Sequence, residues 1–277
     1  MRISRFTRLT ACLLCVMLAL VPAAGLAVPS SLTCAIVAKD DLELRPLELN
    51  QRDVVSVLDL VYEGLFQMDD NDQPQPELAY SYEFTNDGRK LKVKLRENVT
   101  FHNGRTLTSA DVIATLDYMF ELTGFDDELN SDVPTADRGL YYSTFYSIKS
   151  WEATDDYSLV FTLRRASYGS LYALAFPILP ADEVRNNMPA GTGPYQYDGY
   201  EQGASIWLTA NKNWWKKIPA IRNIRAGIYS SDDRALNAFD TQTVDVAMTR
   251  SINASRYSGS LNTFSMTART RQLEVLL

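Results

Sequence analysis

Gly191-Thr192-Gly193-Pro194-Tyr195 is the stretch of sequence that decides the fold. Glycine permits positive φ and proline fixes φ, so we expect an unusual backbone conformation that places Tyr195 by its geometry. A Gly-Pro pair by itself most often marks a plain turn. The segment becomes informative because Asn211-Lys212-Asn213-Trp214-Trp215 follows it and two further blocks precede it in a fixed order.

The two upstream blocks complete the pattern. The first is Leu60-Val61-Tyr62-Glu63-Gly64-Leu65, followed by Pro76-Glu77-Leu78-Ala79. The second is Leu95-Arg96-Glu97-Asn98-Val99-Thr100-Phe101-His102-Asn103-Gly104, followed by Leu107-Thr108-Ser109-Ala110-Asp111-Val112. The ordered set resembles the large extracytoplasmic solute-binding proteins of ABC importers, in the family that captures oligopeptides, dipeptides and nickel complexes. The resemblance runs from about Thr33 to the C-terminus and does not specify a ligand.

The composition is that of an ordinary globular protein. The 277 residues are 46% hydrophobic and 22% charged, which argues against disorder and provides ample chain for a core. The net charge is −7 and no basic stripe stands out, so we do not expect nucleic acid, whose phosphates need clustered Lys and Arg, as a partner.

The N-terminal segment has the layout of a secretory signal peptide. Three arginines form a basic start, Ala11 to Val28 carry no charge, and small residues follow the most apolar part. We predict a signal peptide over residues 1–27, cleaved after Ala27, and an extracytoplasmic location, in the periplasm or on the outer face of the cell membrane. An uncleaved anchor is the alternative, since the 18 charge-free residues approach the length of a membrane span.

The three cysteines do not predict a disulfide. Cys12 and Cys15 leave with a cleaved signal peptide, so Cys34 stands alone. A lipid anchor stays open, because Cys12 precedes the apolar run and Cys34 follows it in a context that fits lipid attachment poorly.

Hydrophobic periodicity predicts alternating strands and helices, and therefore an α/β construction. The clearest elements are two hairpins, across Asn86-Asp87-Gly88 and Asp155-Asp156, and a helix from Ser109 to Leu122 that Thr108 can cap. The other predicted segments are strand Leu32–Ala38, helix Asp53–Leu65, a polar loop from Gly124 to Arg138, strands Ile206–Ala210 and Ile224–Tyr229, a helix from Ser231 through Phe239, and strands Val244–Ala247 and Arg271–Leu277.

Catalytic residues are hard to find, and we predict neither an enzyme nor a cofactor. His102 is the single histidine, and we interpret it as a turn residue satisfied by backbone groups rather than as a base or metal ligand. A serine nucleophile elbow and a phosphate-binding glycine loop are both missing. Asp126, Asp127 and Glu128 could serve a two-carboxylate glycosidase, but acidic runs on loops are usually just solvated.

Aromatic residues are the positive signal for binding. Tyr141 and Tyr142 lie in one cluster after the acidic loop, and Trp214-Trp215 form another. Aromatic rings provide a large contact area at a small entropy cost, which suits the capture of varied ligands. Core packing is the alternative reading of both clusters.

The resemblance implies an α/β fold that forms the first lobe of a two-lobed clamshell, similar to periplasmic binding proteins, with an inserted hairpin-rich subdomain. On this chain the first lobe is residues 33–66 plus 187–277, the inserted subdomain is residues 67–186, and the second lobe is absent. The implied partners are a peptide ligand, held largely through its backbone, and the permease subunits of an ABC importer. Membrane association is implied only through the N-terminal segment or the permease. The matching cleft positions are Asn50, Gln51, Arg52, Asp53, Tyr141, Tyr142, Gly193, Pro194 and Tyr195.

The chain departs from the family at two places. Members usually have Gly where this chain has Gln242, which should cost about 1 kcal/mol if the left-handed helix end is kept. Family chains also continue well past Leu277. We therefore expect an exposed apolar patch bordered by Tyr141, Tyr142 and Tyr195, an unpaired edge strand ending at Leu277, and very weak or no peptide binding. The alternative is an exported non-transport module, with a sensory or assembly role, that retains only this lobe.

Overall fold

A computed structural model describes residues 29–69, 71–85, 87–123, 141, 145–257, 263–268 and 271–276. Residues 123, 263–268 and 271–276 are described by their backbone alone. The predicted signal peptide, the polar loop and Tyr142 lie outside the described residues. The strands are β1 Ser31–Val37, β2 Phe66–Met68, β3 Pro74–Pro76, β4 Ala79–Thr85, β5 Lys90–Leu95, β6 Ile148–Asp155, β7 Ser158–Leu163, β8 Tyr195–Glu201, β9 Ser205–Ala210, β10 Asn223–Tyr229, β11 Val246–Thr249, β12 Thr263–Ala268 and β13 Arg271–Leu276. The helices are α1 Arg52–Leu58, α2 Ser109–Thr123 and α3 Asp232–Asp240, with 3-10 helices at Tyr168–Leu174 and Ile252–Tyr257.

The larger sheet has seven strands in the order β12-β13-β11-β1-β10-β9-β8. Strand β1 runs parallel to β10 and β11, and the remaining pairs are antiparallel. Helix α3 connects β10 to β11, and its small residues Ala235 and Ala238 pack on Ala35 and Ala247 of the sheet. This strand–helix–strand crossover makes the chain an α/β protein, as the sequence pattern predicts.

The smaller sheet has the order β4-β5-β7-β6 and is built from the two predicted hairpins. Asp87 and Gly88 both have positive φ, 52° and 79°, as the Asn-Asp-Gly turn predicts. Along β5 the apolar residues are buried and the lysines between them are exposed. The sheet therefore has one face in the core and one face in solvent.

The predicted division into a discontinuous lobe and an inserted subdomain follows the two sheets along the chain. The buried core, however, runs without a break from Ile36 and Ala226 in the larger sheet to Leu91 and Phe161 in the smaller one. The boundaries at residues 66 and 187 therefore stay predictions.

Helix α1 is shorter than the periodicity predicts, because it ends at Leu58 rather than Leu65. The carbonyl oxygens of Leu60 and Val61 accept hydrogen bonds from the N–H groups of Tyr195 and Gly193, both at 2.9 Å. Because these two carbonyls bond to the Gly-Pro turn, they do not accept the i+4 hydrogen bonds that would extend the helix. The apolar spacing beyond Leu58 serves tertiary packing instead.

Strand β11 starts at Val246, two residues later than predicted. The residues just before it form hydrogen bonds back to the end of α3. The Thr243 N–H donates to the Ala238 carbonyl at 2.8 Å and the Gln242 N–H donates to that of Phe239 at 3.0 Å. These two bonds, with Gln242 at φ 56°, form a Schellman motif. The left-handed helix end is therefore kept with glutamine in the glycine position.

The prediction that the strand ending at Leu277 is an unpaired edge is wrong. Strand β13 pairs with β11 on one side and with β12 on the other, so it is an inner strand of the larger sheet. A sequence that ends in a strand does not show which partner comes back to cover it, and here the hairpin partner β12 does so.

Candidate functional site

The Gly-Pro-Tyr turn packs directly on the chain that leaves α1. A Cβ added at Gly191 would lie 1.9 Å from the Val61 carbonyl oxygen, and one at Gly193 would lie 2.7 Å from it. Neither glycine has positive φ. The glycines are therefore required by close backbone approach, not by the left-handed conformation that the sequence suggested.

His102 holds the same turn from the other side. The Gly191 N–H donates to His102 Nδ1 at 3.2 Å, and Nε2 lies 3.0 Å from the Gly193 carbonyl oxygen. The ring is therefore the tautomer with hydrogen on Nε2, which donates to Gly193. Burial lowers the pKa of His102. The interpretation of His102 as a turn residue satisfied by backbone groups is confirmed.

The two tryptophans are anchored by a buried carboxylate. Glu63 is 4% exposed and accepts hydrogen bonds from Trp214 Nε1 at 3.1 Å and Trp215 Nε1 at 2.8 Å. Lys216 Nζ lies 3.5 Å from Glu63 and donates to Glu77 at 2.7 Å. Burial raises the pKa of Glu63 in spite of these partners. This network fixes the tryptophans to the fold, which favours packing over ligand contact for this pair.

Tyr195 is buried rather than facing a cleft. It is 6% exposed, and its hydroxyl donates to the Ile221 carbonyl at 3.0 Å. The expected exposed patch therefore does not include this ring. Because Tyr195 begins β8 and alternation along that strand turns its ring into the core, what the turn can offer a ligand is backbone.

Tyr141 lies near the end of α1. It is half-buried, with its ring 6.2 Å from that of Phe176, and burial followed by the charge of Asp59 raises the pKa of its hydroxyl. Burial, followed by the charge of Glu77, raises the pKa of Asp59 itself to about 6. The Asp59 side chain is nevertheless accessible to solvent.

Residues 50–53 lie where two parallel strands end, and only Asn50 and Gln51 form a loop, because Arg52 and Asp53 are the first residues of α1. Asp53, 2% exposed, accepts a hydrogen bond at 3.2 Å from the N–H of Val37, the last residue of β1. It also binds Arg250, which directly follows β11, with Nη2 2.6 Å from Oδ1. Gln51 accepts from the Lys39 N–H at 2.9 Å, while Asn50 and Arg52 are exposed. The carboxyl ends of parallel strands are the usual ligand-binding edge of an α/β sheet.

Helix α1 therefore connects the predicted site segments. Residues 50–53 are at its start, and the Gly-Pro turn and Tyr141 are at its end, about 10 Å along the axis for seven residues. The predicted site residues therefore form two groups, one at each end of α1, rather than a single cluster. The sequence analysis missed Arg250 and Asp59, and only the position of Arg250 directly after a predicted strand could have indicated it.

The described residues contain neither a metal-binding cluster nor a membrane-spanning helix. No group of three or more His, Cys, Asp or Glu residues there could hold a metal ion. Among the described helices, none has the length and apolar character needed to cross a bilayer. Cys34 on β1 is a free thiol, and burial raises its pKa to about 11, so it is largely un-ionised at neutral pH.

The chain matches known proteins over most of its length. The family model for bacterial extracellular solute-binding proteins, family 5 Middle, matches residues 73–270. Curated relatives include Protein XP55 of Streptomyces lividans, 27% identical over 62% of this chain and 31% of the relative, and the glutathione-binding protein GsiB of Escherichia coli, 28% identical over 73% and 40%. The chain thus spans less than half the length of these relatives.

Solved structures share the fold. AgaA from A.tumefacien R10, in complex with agropinic acid, has a TM-score of 0.71 at 23% identity, covering 85% of this chain and 47% of the other. NikZ from Campylobacter jejuni, in complex with Ni(L-His), has a TM-score of 0.68 at 22% identity, and the match covers 86% of this chain and 47% of NikZ. The oligopeptide-binding protein AppA from Bacillus subtilis, in complex with a nonapeptide, has a TM-score of 0.68 at 21% identity, and the match covers 86% of this chain and 47% of AppA.

Proposed function

Because the chain belongs to family 5 of the bacterial extracellular solute-binding proteins, we propose that it captures oligopeptides, or a similar small solute, for delivery to the permease subunits of an ABC importer. Proteins of this family are extracytoplasmic and are binding proteins rather than enzymes. The observation that carries the proposal is the family match over residues 73–270, joined to a fold shared with AppA. Peptide is the ligand favoured, although similar structures hold ligands as different as a nickel complex and agropinic acid.

We propose that the ligand lies along the α1 side of the larger sheet. Residues 50–53 offer exposed side chains at Asn50 and Arg52 beside the carboxyl ends of β1 and β11. Tyr141, with Tyr142 beside it in the sequence, is the proposed aromatic wall at the other end. Gly193, Pro194 and Tyr195 contribute through backbone and by fixing the position of α1. Recognition through backbone groups tolerates varied ligand side chains.

The 277 residues alone are proposed to bind a peptide weakly or not at all. A clamshell gains affinity when walls on both sides close on the ligand. The solved relatives are about twice as long as the part of them that this chain covers. The described residues therefore correspond to one wall of such a site.

Calorimetry tests both parts of the proposal. The 277-residue chain is titrated with a mixture of di- to pentapeptides and, separately, with a nickel–histidine complex, before and after addition of a second lobe taken from a relative such as AppA. We expect no heat from the chain alone and micromolar binding from the two-lobed protein, weakened by Tyr141→Ala. Low-micromolar binding by the chain alone would show that the second wall is not needed. A two-lobed protein that folds and binds none of these solutes would contradict solute capture and favour the non-transport alternative.

A further inference from the structure

One segment of this acidic protein carries five of its 27 basic residues and no acidic residue. Residues 202–231 contain five Lys and Arg and no Asp or Glu, in a chain whose net charge is −7. The overall charge balance concealed this segment in the sequence analysis. It includes the loop from Asn211 to Arg222, which joins β9 to β10.

Three cations of this segment are available to a partner. Lys216 is committed to Glu63 and Glu77, and Arg225 donates to Ser205. Lys212, Lys217 and Arg222, by contrast, are exposed, and none of them forms an ion pair in the described part of the chain.

An exposed apolar side chain lies among these cations. Ile218 is 51% exposed and follows Lys217 directly. Ile218, Lys212 and Arg222 line one depression of about 650 Å³ in the protein surface. Exposed cations are attracted to anionic lipid headgroups, and an exposed apolar side chain beside them can enter the bilayer interface.

The N-terminal segment leaves the fold at the same place. The carbonyl oxygen of Ser30, directly before β1, accepts hydrogen bonds from the N–H groups of Arg222 at 2.9 Å and Asn223 at 3.1 Å. The charge-free run from Ala11 to Val28 ends two residues earlier in the sequence. In the alternative in which this run is kept as an uncleaved anchor, the anchor also brings the basic loop to the membrane surface.

We propose that the surface formed by Lys212, Lys217, Ile218 and Arg222 docks on the anionic face of the lipid bilayer. The three cations bind lipid phosphates, and Ile218 enters the headgroup region. The proposal concerns where the molecule rests and is independent of the solute that it captures. An acidic protein surface is the competing partner, and a parent chain without preference for anionic vesicles would favour it.

The test is a vesicle partition experiment with the full 277-residue chain. Partition coefficients are measured by sedimentation with vesicles of phosphatidylcholine alone and with vesicles in which one third of the lipid is phosphatidylglycerol. The apolar N-terminal run and its three arginines are the same in the parent and in every variant, so comparing the ratios of these proteins removes the contribution of the N-terminal segment. Each cation near an anionic surface contributes about five-fold, so we expect the ratio to fall about a hundred-fold in the triple variant Lys212→Ser/Lys217→Ser/Arg222→Ser.

A matched control removes the same charge elsewhere. Lys90, Lys92 and Lys94 are exposed on β5, in the smaller sheet, and the triple change to Ser at these positions should leave the ratio within about two-fold of the parent. Raising the salt to about 0.5 M should abolish the preference of the parent for anionic vesicles. Ile218→Ser should lower binding to both kinds of vesicle at low salt. A parent ratio near one, or an equal loss in both triple variants with unchanged melting temperatures, would overturn membrane docking.

Discussion

Gln242 is a position where the strain stored in the fold can be measured. It follows α3 with φ 56°, held there by the two Schellman hydrogen bonds to Ala238 and Phe239. An L-residue in this conformation costs about 1–2 kcal/mol, which glycine does not incur. Glycine also destabilises the folded state by about 0.5–1 kcal/mol, because it makes the unfolded chain more flexible. Gln242→Gly should therefore stabilise the protein by about 1 kcal/mol, or about 2–4 °C in melting temperature for a chain of this size.

Urea unfolding followed by tryptophan fluorescence measures this change, with the midpoint compared at unchanged slope. Thr241→Gly is the matched control one residue earlier. Thr241 has φ −84°, and its hydroxyl donates to the Asn237 carbonyl at 2.9 Å, so glycine relieves no strain there and should destabilise by about 1 kcal/mol. If both glycine variants destabilised the protein equally, the left-handed strain at Gln242 would have no energetic consequence and the reasoning would fail.

Three further changes test the packing around α1. Gly191→Ala should destabilise by more than about 3 kcal/mol, because the new Cβ would meet the Val61 backbone, while Gly199→Ala, whose Cβ would sit 3.4 Å from a side chain, should cost under about 1 kcal/mol in the same urea titration. Arg250→Met should cost about 2–4 kcal/mol in thermal unfolding, because it leaves the buried Asp53 carboxylate without its cationic partner, and adding Asp53→Asn should recover part of the loss. Because the folded pKa of His102 is lowered, its contribution to stability is present above the unfolded pKa, about 6.5, and is lost as pH falls through the window below it. The urea midpoint of His102→Gln should therefore fall less than that of the parent between pH 7.5 and 5, and identical pH profiles would contradict this assignment.

Local patterns predicted the elements that depend on neighbouring residues. The positive φ values at Asp87 and Gly88 follow from turn chemistry, and both hairpins form around the predicted turns. The cap of α2 also follows from local sequence, since the Asp111 carboxylate accepts the Thr108 N–H at 2.9 Å. Each of these features is decided within a few residues along the chain.

Features decided by distant residues could not be predicted in the same way. The end of α1 at Leu58 depends on hydrogen bonds from Gly193 and Tyr195, which periodicity around α1 does not reveal. The ion pair of Asp53 and Arg250 joins residues 197 positions apart. For the candidate site, the sequence indicated the 50–53 loop and the Gly-Pro turn, but it did not show that the Tyr195 ring is buried.

The central place of β1 has a consequence for how the molecule is made. Strand β1 leaves the ribosome before the other described strands of the larger sheet, and its register with β10 joins residues about 190 positions apart. Until those later strands are synthesised, an apolar segment with both hydrogen-bonding edges open has no native neighbour in the larger sheet. The nascent chain is therefore prone to aggregate for most of its synthesis, and folding of this sheet is a late, slow step that waits for residues near the other end.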